Sequence, residues 1–584
     1  MKIEKLVIKG FRNFIDTEIY FNNVSLIIGK NDIGKTNLLY ALRILFDKKM
    51  SDDDLELTES DYNIFSKTNR IEIKAFLTDI KEDFLRSCFK SCIKDGKTII
   101  SYSKEKDSDY VIKCGWSDET MSEYNGRFYT KRVDLKYIDS QRDLNSYFKA
   151  EKKRLLTTSK EKLGNDEQAS DEEKKKELQE SLNTLNDSVN NFEYIKTALN
   201  DVSKELSTLS NILDNSNVRF SSGNVDAQKM LDNLTLVISS KEGEVEVSGE
   251  GKKNQVYFAT WMTQRNLEKD DDHLTILAIE EPEAHLHPAQ QRLLANYFET
   301  IKNEQIIITS HSPEIVCSFI PEQIIRLSKD AGNNIIASCG TKDDFKNMFD
   351  RFSYRLNPIS AETFFSDGVF LVEGISEVLF YKSLAKAKKI PFESYNLSVL
   401  PVEGVGFKPY IQVCLILNIP FVMRTDNDIF AKDETSCYFA GLYRAIGLVK
   451  ELNHSKEAKD LVEFFEGNKS KASWVGKALD VPEESKDFND EIREKLKQFD
   501  IFLSDVDLET DIAGSELIEA LKAHYHCESA KKTINAMKSR KAENMYGFLS
   551  NESNANSLSL ITKESLLEPF KKLCEKAESI KVEK

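Results

Sequence analysis

Three stretches in the second half of the chain end an apolar run on carboxylates at short, regular spacing. FLVEGISE sets Glu373 and Glu377 one helical turn apart. TDND puts Asp426 and Asp428 on the same side of an extended chain, and SDVDLE repeats that spacing with Asp507 and Glu509. Gathered at one sheet edge, six unpaired carboxylates would repel one another, so the pattern calls for divalent cations, Mg²⁺ or Mn²⁺. With two ions, such a site activates water and stabilises the leaving oxygen of a phosphodiester.

The first half carries a different phosphate chemistry. GKNDIGKT, residues 29–36, matches the pattern G-x-x-x-x-G-K-[ST]. Gly29 and Gly34 let backbone N–H groups turn to the phosphates, Lys35 reaches the terminal oxygens and Thr36 binds Mg²⁺, with Asn31 and Asn37 among the nucleotide contacts. ILAIEEPE ends a strand on Glu280, expected in the Mg²⁺ shell, and Glu281, expected to orient or deprotonate the attacking water. TSHSP follows the apolar run QIIIT and sets His311 towards the γ-phosphate of ATP. His285 and His287 in EAHLHP read as structural, because no third ligand stands at suitable spacing.

These residues need elements to position them. Residues 1 to about 135 alternate strand-like runs (IEKLVIKGF, VSLIIG, IEIKAFL, TIISYS, YVIKCGW) with one amphipathic helix after Thr36, which predicts a β-rich lobe around the phosphate loop. From about 142 to 234, apolar residues at three and four spacing (Leu178, Leu182, Leu185, Val189) predict antiparallel helices projecting from the lobe. The acidic break GNDEQASDEEKKK is their expected tip or loop. α/β alternation returns at about 273, and the polar run SKDAGNNIIASCGTKDDFKN places a boundary near 340 to 360. GVFLVEG, SEVLFYKSLAKAKK, LSVLPVEG, FKPYIQVCLILN and PFVMRTD then read as βαβαβ, a parallel sheet with its ligands at the strand C-termini. A mostly helical insertion at about 435–495 precedes one more strand, FDIFLSD. The expected division is a nucleotide-binding head at 1–141 and 236–345, a helical arm for dimerisation or partner binding at 142–235, and a second domain at 346–584.

Composition narrows the class. A net charge of −16 opposes general attraction to nucleic acid, yet many of the acids lie in the arm and the carboxylate site. KKTINAMKSRK, residues 531–541, is a basic cluster without an acid. Nine scattered cysteines without a CxxC pair fit reduced thiols. The N-terminus alternates like a strand and no apolar run of about 18 residues occurs, which predicts a cytoplasmic protein with no membrane span.

The nucleotide motifs, with the N-terminal IKGFRNF, resemble the ATP-binding-cassette heads of the RecF and SMC group over about residues 1–330. That resemblance gives SGEG the role of the signature motif, Ser248 and the Gly249 backbone capping the γ-phosphate held by a second head. SGEGK departs from the usual signature, and Asp32 and Ile33 stand where Asn-Gly or a small residue is usual, so slow hydrolysis is expected. E-G followed by D-x-D resembles the Toprim fold. Both in series, with the D-x-E strand and a downstream lysine, resemble the overcoming-lysogenisation-defect (OLD) nuclease family, including the nuclease subunits of the Gabija anti-phage system.

The resemblance implies an α/β chain with an ABC-type head, a helical dimerisation insertion and a C-terminal Toprim domain. It also implies metal-dependent cleavage of double-stranded DNA under ATP control in phage defence. The implied partners are copies of itself, as dimer or tetramer, and a UvrD-like helicase or a retron reverse transcriptase with its DNA/RNA. Carried over by motif, Glu373 and Glu377 bind metal, with Glu373 also catalytic, Asp426 and Asp428 anchor the shared site, and Asp507 and Glu509 complete the second. Lys541, beside Lys538 and Arg540, offsets charge on the scissile phosphate. Asp511 is an alternative to Asp507, and Arg142 an arm or nucleotide contact. The competing reading is an ATP-driven repair or clamp protein of the RecF/SMC type with a non-catalytic Toprim module, which the retained carboxylates weigh against. A topoisomerase or primase would need a zinc-ribbon cysteine set or a second DNA-gate domain.

Overall fold

The computed structural model describes residues 1–66, 68–124, 126–140, 144–209, 227–232, 237–240, 243–246, 250–267, 273–301, 304–330, 332–339, 358–431, 435–478 and 480–582. They form two compact units, Met1–Ser140 with Asp272–Glu283 and Pro288–Lys584, and Gln141–Asp271 with Ala284–His287. The boundary expected near 340 to 360 lies mostly outside the described residues.

In the first unit, β1 (Lys2–Phe11), β2 (Phe14–Tyr20), β3 (Val24–Ile28), β4 (Arg70–Thr78), β5 (Thr98–Glu105), β6 (Val111–Gly115), β7 (Ser122–Glu123) and β8 (Val133–Ile138) divide between two sheets. Six of them run antiparallel in the order β2-β1-β4-β5-β6-β7. Alternating burial along β4 shows the one-sided core contact that its sequence pattern demands. β9 (Val237–Ser240) and β10 (Gly243–Glu246) pair in the second unit. β11 (Leu274–Glu280), β12 (Gln305–Thr309), β13 (Ile324–Lys329) and β14 (Ile335–Cys339) join β3 and β8 in the order β14-β13-β3-β12-β11-β8, all parallel except β14. VSLII and QIIIT are predominantly apolar, each with a run of three aliphatic residues, because β3 and β12 are buried along their whole length. The helix Lys35–Phe46 packs on β8 of one sheet and on β4 and β5 of the other, burying Leu38, Leu39, Leu42, Leu45 and Phe46.

The sheet of the second half is parallel, in the order β16-β15-β17-β21, with β15 (Gly368–Val372), β16 (Leu397–Pro401), β17 (Phe421–Thr425) and β21 (Ile501–Leu503). The expected helices form between these strands as Ile375–Lys388 and Lys408–Ile416. The insertion contains the helices Ala440–Leu452, Lys456–Gly467 and Glu483–Leu496. It also contains an antiparallel trio that the pattern did not announce, β18 (Ile429–Ala431), β19 (Ser436–Phe439) and β20 (Ser473–Val475). A C-terminal helix, Glu564–Val582, covers β15, β17 and β21, and its Phe570 stacks on Phe392 at 4.9 Å between ring centroids. Between the two parallel sheets, buried Arg326 of β13 donates to the carbonyls of Phe364, Ser366, Leu417 and Asn418. Lys30 of the phosphate loop pairs with Asp367, the residue before β15.

The second unit holds the helices Leu144–Glu161, Asn165–Asn190, Glu193–Leu209 and Glu250–Leu267. Here the acidic run corrects the expectation of a loop: all of GNDEQASDEEKKK after Gly164 is helical. Glu167 accepts the Gly164 N–H at 3.1 Å, acids in the first turn suit the helix dipole, and Ala, Glu, Gln and Lys are good helix formers. Among the described residues no helix is long and apolar enough to cross a membrane.

Candidate functional site

At the C-terminal ends of β3, β11 and β12 the phosphate loop meets the acidic pair and the histidine turn. The loop turns at Asp32 (φ 61°) and Gly34 (φ 113°). Any Cβ at Gly34 would lie 2.3 Å from the Asn13 amide, which donates to the Ile33 carbonyl at 2.6 Å. Buried Lys35 folds back on its own loop, donating to the carbonyls of Gly29 (3.0 Å) and Lys30 (2.7 Å). Burial pulls its ammonium down to about 8, although Glu281 and Glu283 oppose the shift. Thr36 and Tyr137 both donate their hydroxyls to Glu280, one to each carboxylate oxygen. Glu281 sits at φ 42°, and His311 Nε2 stands 3.1 Å from its Oε1. Burial first, then Lys35, hold His311 down at about 4, so the imidazole is neutral near pH 7. Glu283 fastens the turn by accepting from Ser310 Oγ (2.8 Å) and the His311 N–H (2.7 Å).

At the corresponding ends of β15, β17 and β21 lie the acids. Glu373 accepts the Thr425 hydroxyl and the Asp426 N–H, the latter at 2.8 Å. Asp426 is buried, and burial, with Glu373 beside it, pushes its carboxyl up to about 7. Gly441 brings the helix Ala440–Leu452 against this turn, where a Cβ would meet the Asp426 carbonyl oxygen at 2.3 Å. From that helix Arg444 donates to the Asp426 carbonyl (2.9 Å) and pairs with Asp428 (3.2 Å) and Glu373 (3.8 Å). Glu377 caps its own helix, accepting from the Gly374 N–H (3.1 Å) and the Ser376 hydroxyl (2.9 Å). Asp507 caps the helix Leu508–Ala513 through the Thr510 N–H (2.8 Å) and pairs with Lys538. Burial alone would raise its carboxyl, but the Lys538 and Thr510 hydrogen bonds outweigh it and hold it low. Lys541 Nζ stands between Asp426 (3.6 Å) and Glu509 (3.3 Å). Glu509 is 1% exposed, and beside the Lys541 ion pair neither of its carboxylate oxygens has a hydrogen-bond partner.

The expectation of six unpaired carboxylates therefore needs correction. Arg444, Lys538 and Lys541 lie on five of them, all but Glu377, and among the described residues no three His, Cys, Asp or Glu side chains already surround one point as a metal cage. The donors nevertheless suit a hard cation: they are carboxylate oxygens, two of them buried on Glu509 without a hydrogen bond, and burial, with Glu373 beside it, pushes the Asp426 carboxyl up to about 7. Asp511, the alternative to Asp507, is fully buried and committed to Arg424 (2.6 Å) and Lys563 (3.2 Å), so it acts as a strut.

At the loop, Asn37 is engaged by Arg12 (2.8 Å) and Asn13 (2.9 Å), while Asn31 is exposed. Ser248, Gly249 and Arg142 lie outside the described residues. His285 stands 3.0 Å from Glu250 in the second unit, consistent with a structural histidine. Tyr137 and Arg444 carry site contacts without a sequence pattern that announces them, whereas Glu283 in ILAIEEPE, Lys538 in KKTINAMKSRK and Arg12 and Asn13 in IKGFRNF lie inside quoted motifs that gave them no contact.

The family model of the AAA ATPase domain matches residues 1–131 and 94–316, and that of the overcoming lysogenization defect protein-like TOPRIM domain matches residues 364–428. The chain is similar to the endonuclease GajA of Bacillus cereus, 26% identical over 552 residues that cover 90% of this chain and 92% of that protein. It is also similar to the OLD nuclease of Thermus scotoductus, 20% identical over 456 residues, 74% of this chain and 83% of that one. A solved Smc head, bound to the C-winged helix domain of ScpA, matches 58% of this chain and 97% of its own at 16% identity and a TM-score of 0.35.

Proposed function

The chain belongs to the AAA ATPase domain family through its first half and carries an OLD-like TOPRIM domain, and on that premise we propose that it is an ATP-binding, metal-dependent DNA endonuclease. The observation that carries this reading is the buried, unbonded carboxylate of Glu509 beside Asp426 and Glu373 at the C-terminal edge of a parallel sheet. Lys541 lies 3.3 Å from this buried anion without hydrogen-bonding it, so a divalent cation would supply the direct ligation that its oxygens lack. Glu373 and Glu377 would hold a metal, Asp426 and Asp428 would anchor the shared site, and Asp507 and Glu509 would complete a second. Bound Mg²⁺ or Mn²⁺ supplies an activated water and positive charge at the leaving oxygen. Asp426 can hold a proton near neutral pH while the site lacks a cation. Lys541 is placed to meet charge as it develops on the scissile phosphate.

At the nucleotide site, Lys35 would exchange loop carbonyls for phosphate oxygens. Thr36 and Tyr137 orient Glu280, and Glu281, with neutral His311 at its side, would orient the attacking water. The functional division that goes with this is a head at 1–141 and 236–345, an arm at 142–235 and a nuclease domain at 346–584. Similarity to proteins named endonuclease GajA and OLD nuclease supports nucleic-acid cleavage; double-stranded DNA as substrate, phage defence and a cytoplasmic setting are part of the proposal. A homo-oligomer and a helicase or reverse-transcriptase partner belong to the same proposal.

The test is cleavage of supercoiled plasmid by purified protein. Cutting should require Mg²⁺ or Mn²⁺, stop with chelator, and vanish in Glu373→Ala and Asp426→Ala while ATP binding persists. Undiminished cutting by either variant would refute the assignment. One observation favours the second reading, a RecF/SMC-type clamp with a non-catalytic Toprim module: the acids are already salt-bridged by lysine and arginine. Wild-type protein that neither binds Mn²⁺ nor cuts would establish it.

A further inference from the structure

The run KKTINAMKSRK forms two helices, Ala530–Ser539 and Lys541–Leu549, broken at Arg540 (φ −149°, ψ 72°). The break is braced. Asn544 Nδ2 donates back to the Ala536 carbonyl (2.7 Å) and to Ser539 Oγ (3.2 Å), Tyr525 donates to the Asn544 carbonyl (2.8 Å), and Met537, Met545 and Phe548 are buried beneath it. This fixed elbow presents two ammonium groups to the acidic edge: Lys538 on Asp507, and Lys541 between Asp426 and Glu509. The lysine side chains are 37% and 43% exposed, whereas those of Asp507, Asp426 and Glu509 are 8%, 5% and 1% exposed. Anything arriving from solvent meets the lysines first.

We propose that Lys538 is a positioning residue that stands in for a divalent cation at the acidic edge. It holds Asp507 in place while the site lacks metal, yields that carboxylate to an entering ion, and then presents its freed ammonium to the DNA phosphate. The proposal rests on the metal-dependent reading above. Three features support it. Asp507 has its helix-capping hydrogen bond from Thr510 in addition to Lys538, so release of the lysine leaves the carboxylate oriented. A divalent ion carries one charge more than the Lys538 ammonium it displaces, so the exchange adds positive charge where carboxylates are crowded. A lysine is a flexible point charge without bidentate geometry, and can leave a carboxylate more easily than an arginine can.

The experiment is calorimetric titration of Mn²⁺ into the full-length, DNA-free and nucleotide-free protein. Wild type is compared with Lys538→Met, which keeps the stem, and Lys538→Arg, which keeps the charge; Asp426→Asn assigns the heat to the acidic edge. Lys538→Met should bind Mn²⁺ about tenfold more tightly, because its competitor is gone, with Lys538→Arg within about threefold of wild type. At saturating Mn²⁺ and DNA, single-turnover cleavage by Lys538→Met should nevertheless fall about tenfold. Unchanged or weaker Mn²⁺ binding in Lys538→Met, against a wild type that binds, would overturn the inference and leave the metal-dependent reading standing. Failure of both proteins to bind Mn²⁺ would overturn both. ATP binding and the thermal midpoint confirm that each variant is folded.

Discussion

At the nucleotide site a buried lysine turns inward onto carbonyl oxygens, whereas at the acidic edge two half-exposed lysines turn onto carboxylates. Both sites hang on the C-terminal ends of parallel strands. Their electrostatics are opposite. Lys35 hydrogen-bonds only to carbonyls, and burial holds it down at about 8 against the pull of Glu281 and Glu283, so its cation is under-compensated and a phosphate is the ligand that relieves it. The acids are over-supplied with negative charge, and Asp426, pushed up to about 7, is relieved by a cation. Each site thus carries the charge defect that its expected ligand would repair.

The sharpest way to break this contrast is to remove the nucleotide cation. Lys35→Ala should weaken ATP binding by about 10²-fold or more, measured by equilibrium dialysis, yet leave the protein folded and nucleotide-free, metal-dependent cleavage intact. Wild-type affinity would sink the phosphate-loop assignment. Lys541→Ala should lower the single-turnover cleavage rate by about 10²-fold with little change in DNA affinity, because its benefit grows as charge develops. Lys531→Ala and Lys532→Ala should do the reverse, weakening DNA binding slightly and flattening its salt dependence. Equal small effects from all three would reduce the cluster to a diffuse surface.

Smaller effects distinguish the sites by pH in metal-free protein. His311 is depressed to about 4, so its contribution to stability is present above the unfolded value near 6.5 and is lost as pH falls towards 4. Asp426 is raised, so its contribution is present below about 3.8 and is lost as pH rises through about 7. Thermal midpoints of His311→Gln and Asp426→Asn should therefore flatten opposite limbs of the pH profile, and Mg²⁺ should erase only the Asp426 effect. Smallest of all, Tyr137→Phe should slow ATP hydrolysis a few-fold by freeing one oxygen of Glu280, as measured by phosphate release.

The motifs were legible because they are local. GKNDIGKT, IEEPE and TDND each join an apolar strand to its chemistry within a few residues, so strand register alone assembles them. What escaped notice joins distant positions: Tyr137 to Glu280 across 143 residues, Arg424 to Asp511 across 87. RTDND shows an arginine beside the metal motif without disclosing that it supports a different carboxylate, and Asp511 looked like a ligand for the same reason. The trio β18–β20 escaped because strands of three or four residues contain too few alternations to register. The acidic helix start at Asn165 was hidden by reading charge as loop, although Glu167 three residues after Gly164 is a capping signal.

The central claim, that the acidic edge is a divalent-cation site and not a salt-bridged scaffold, is tested most directly by anomalous diffraction from crystals of the full chain grown with Mn²⁺. The account predicts manganese peaks on the carboxylate oxygens of Asp426 and Glu509, with the ammonium groups of Lys538 and Lys541 withdrawn. A map with no peak at this edge, and both lysines still seated on Asp507, Asp426 and Glu509 at saturating Mn²⁺, would contradict it.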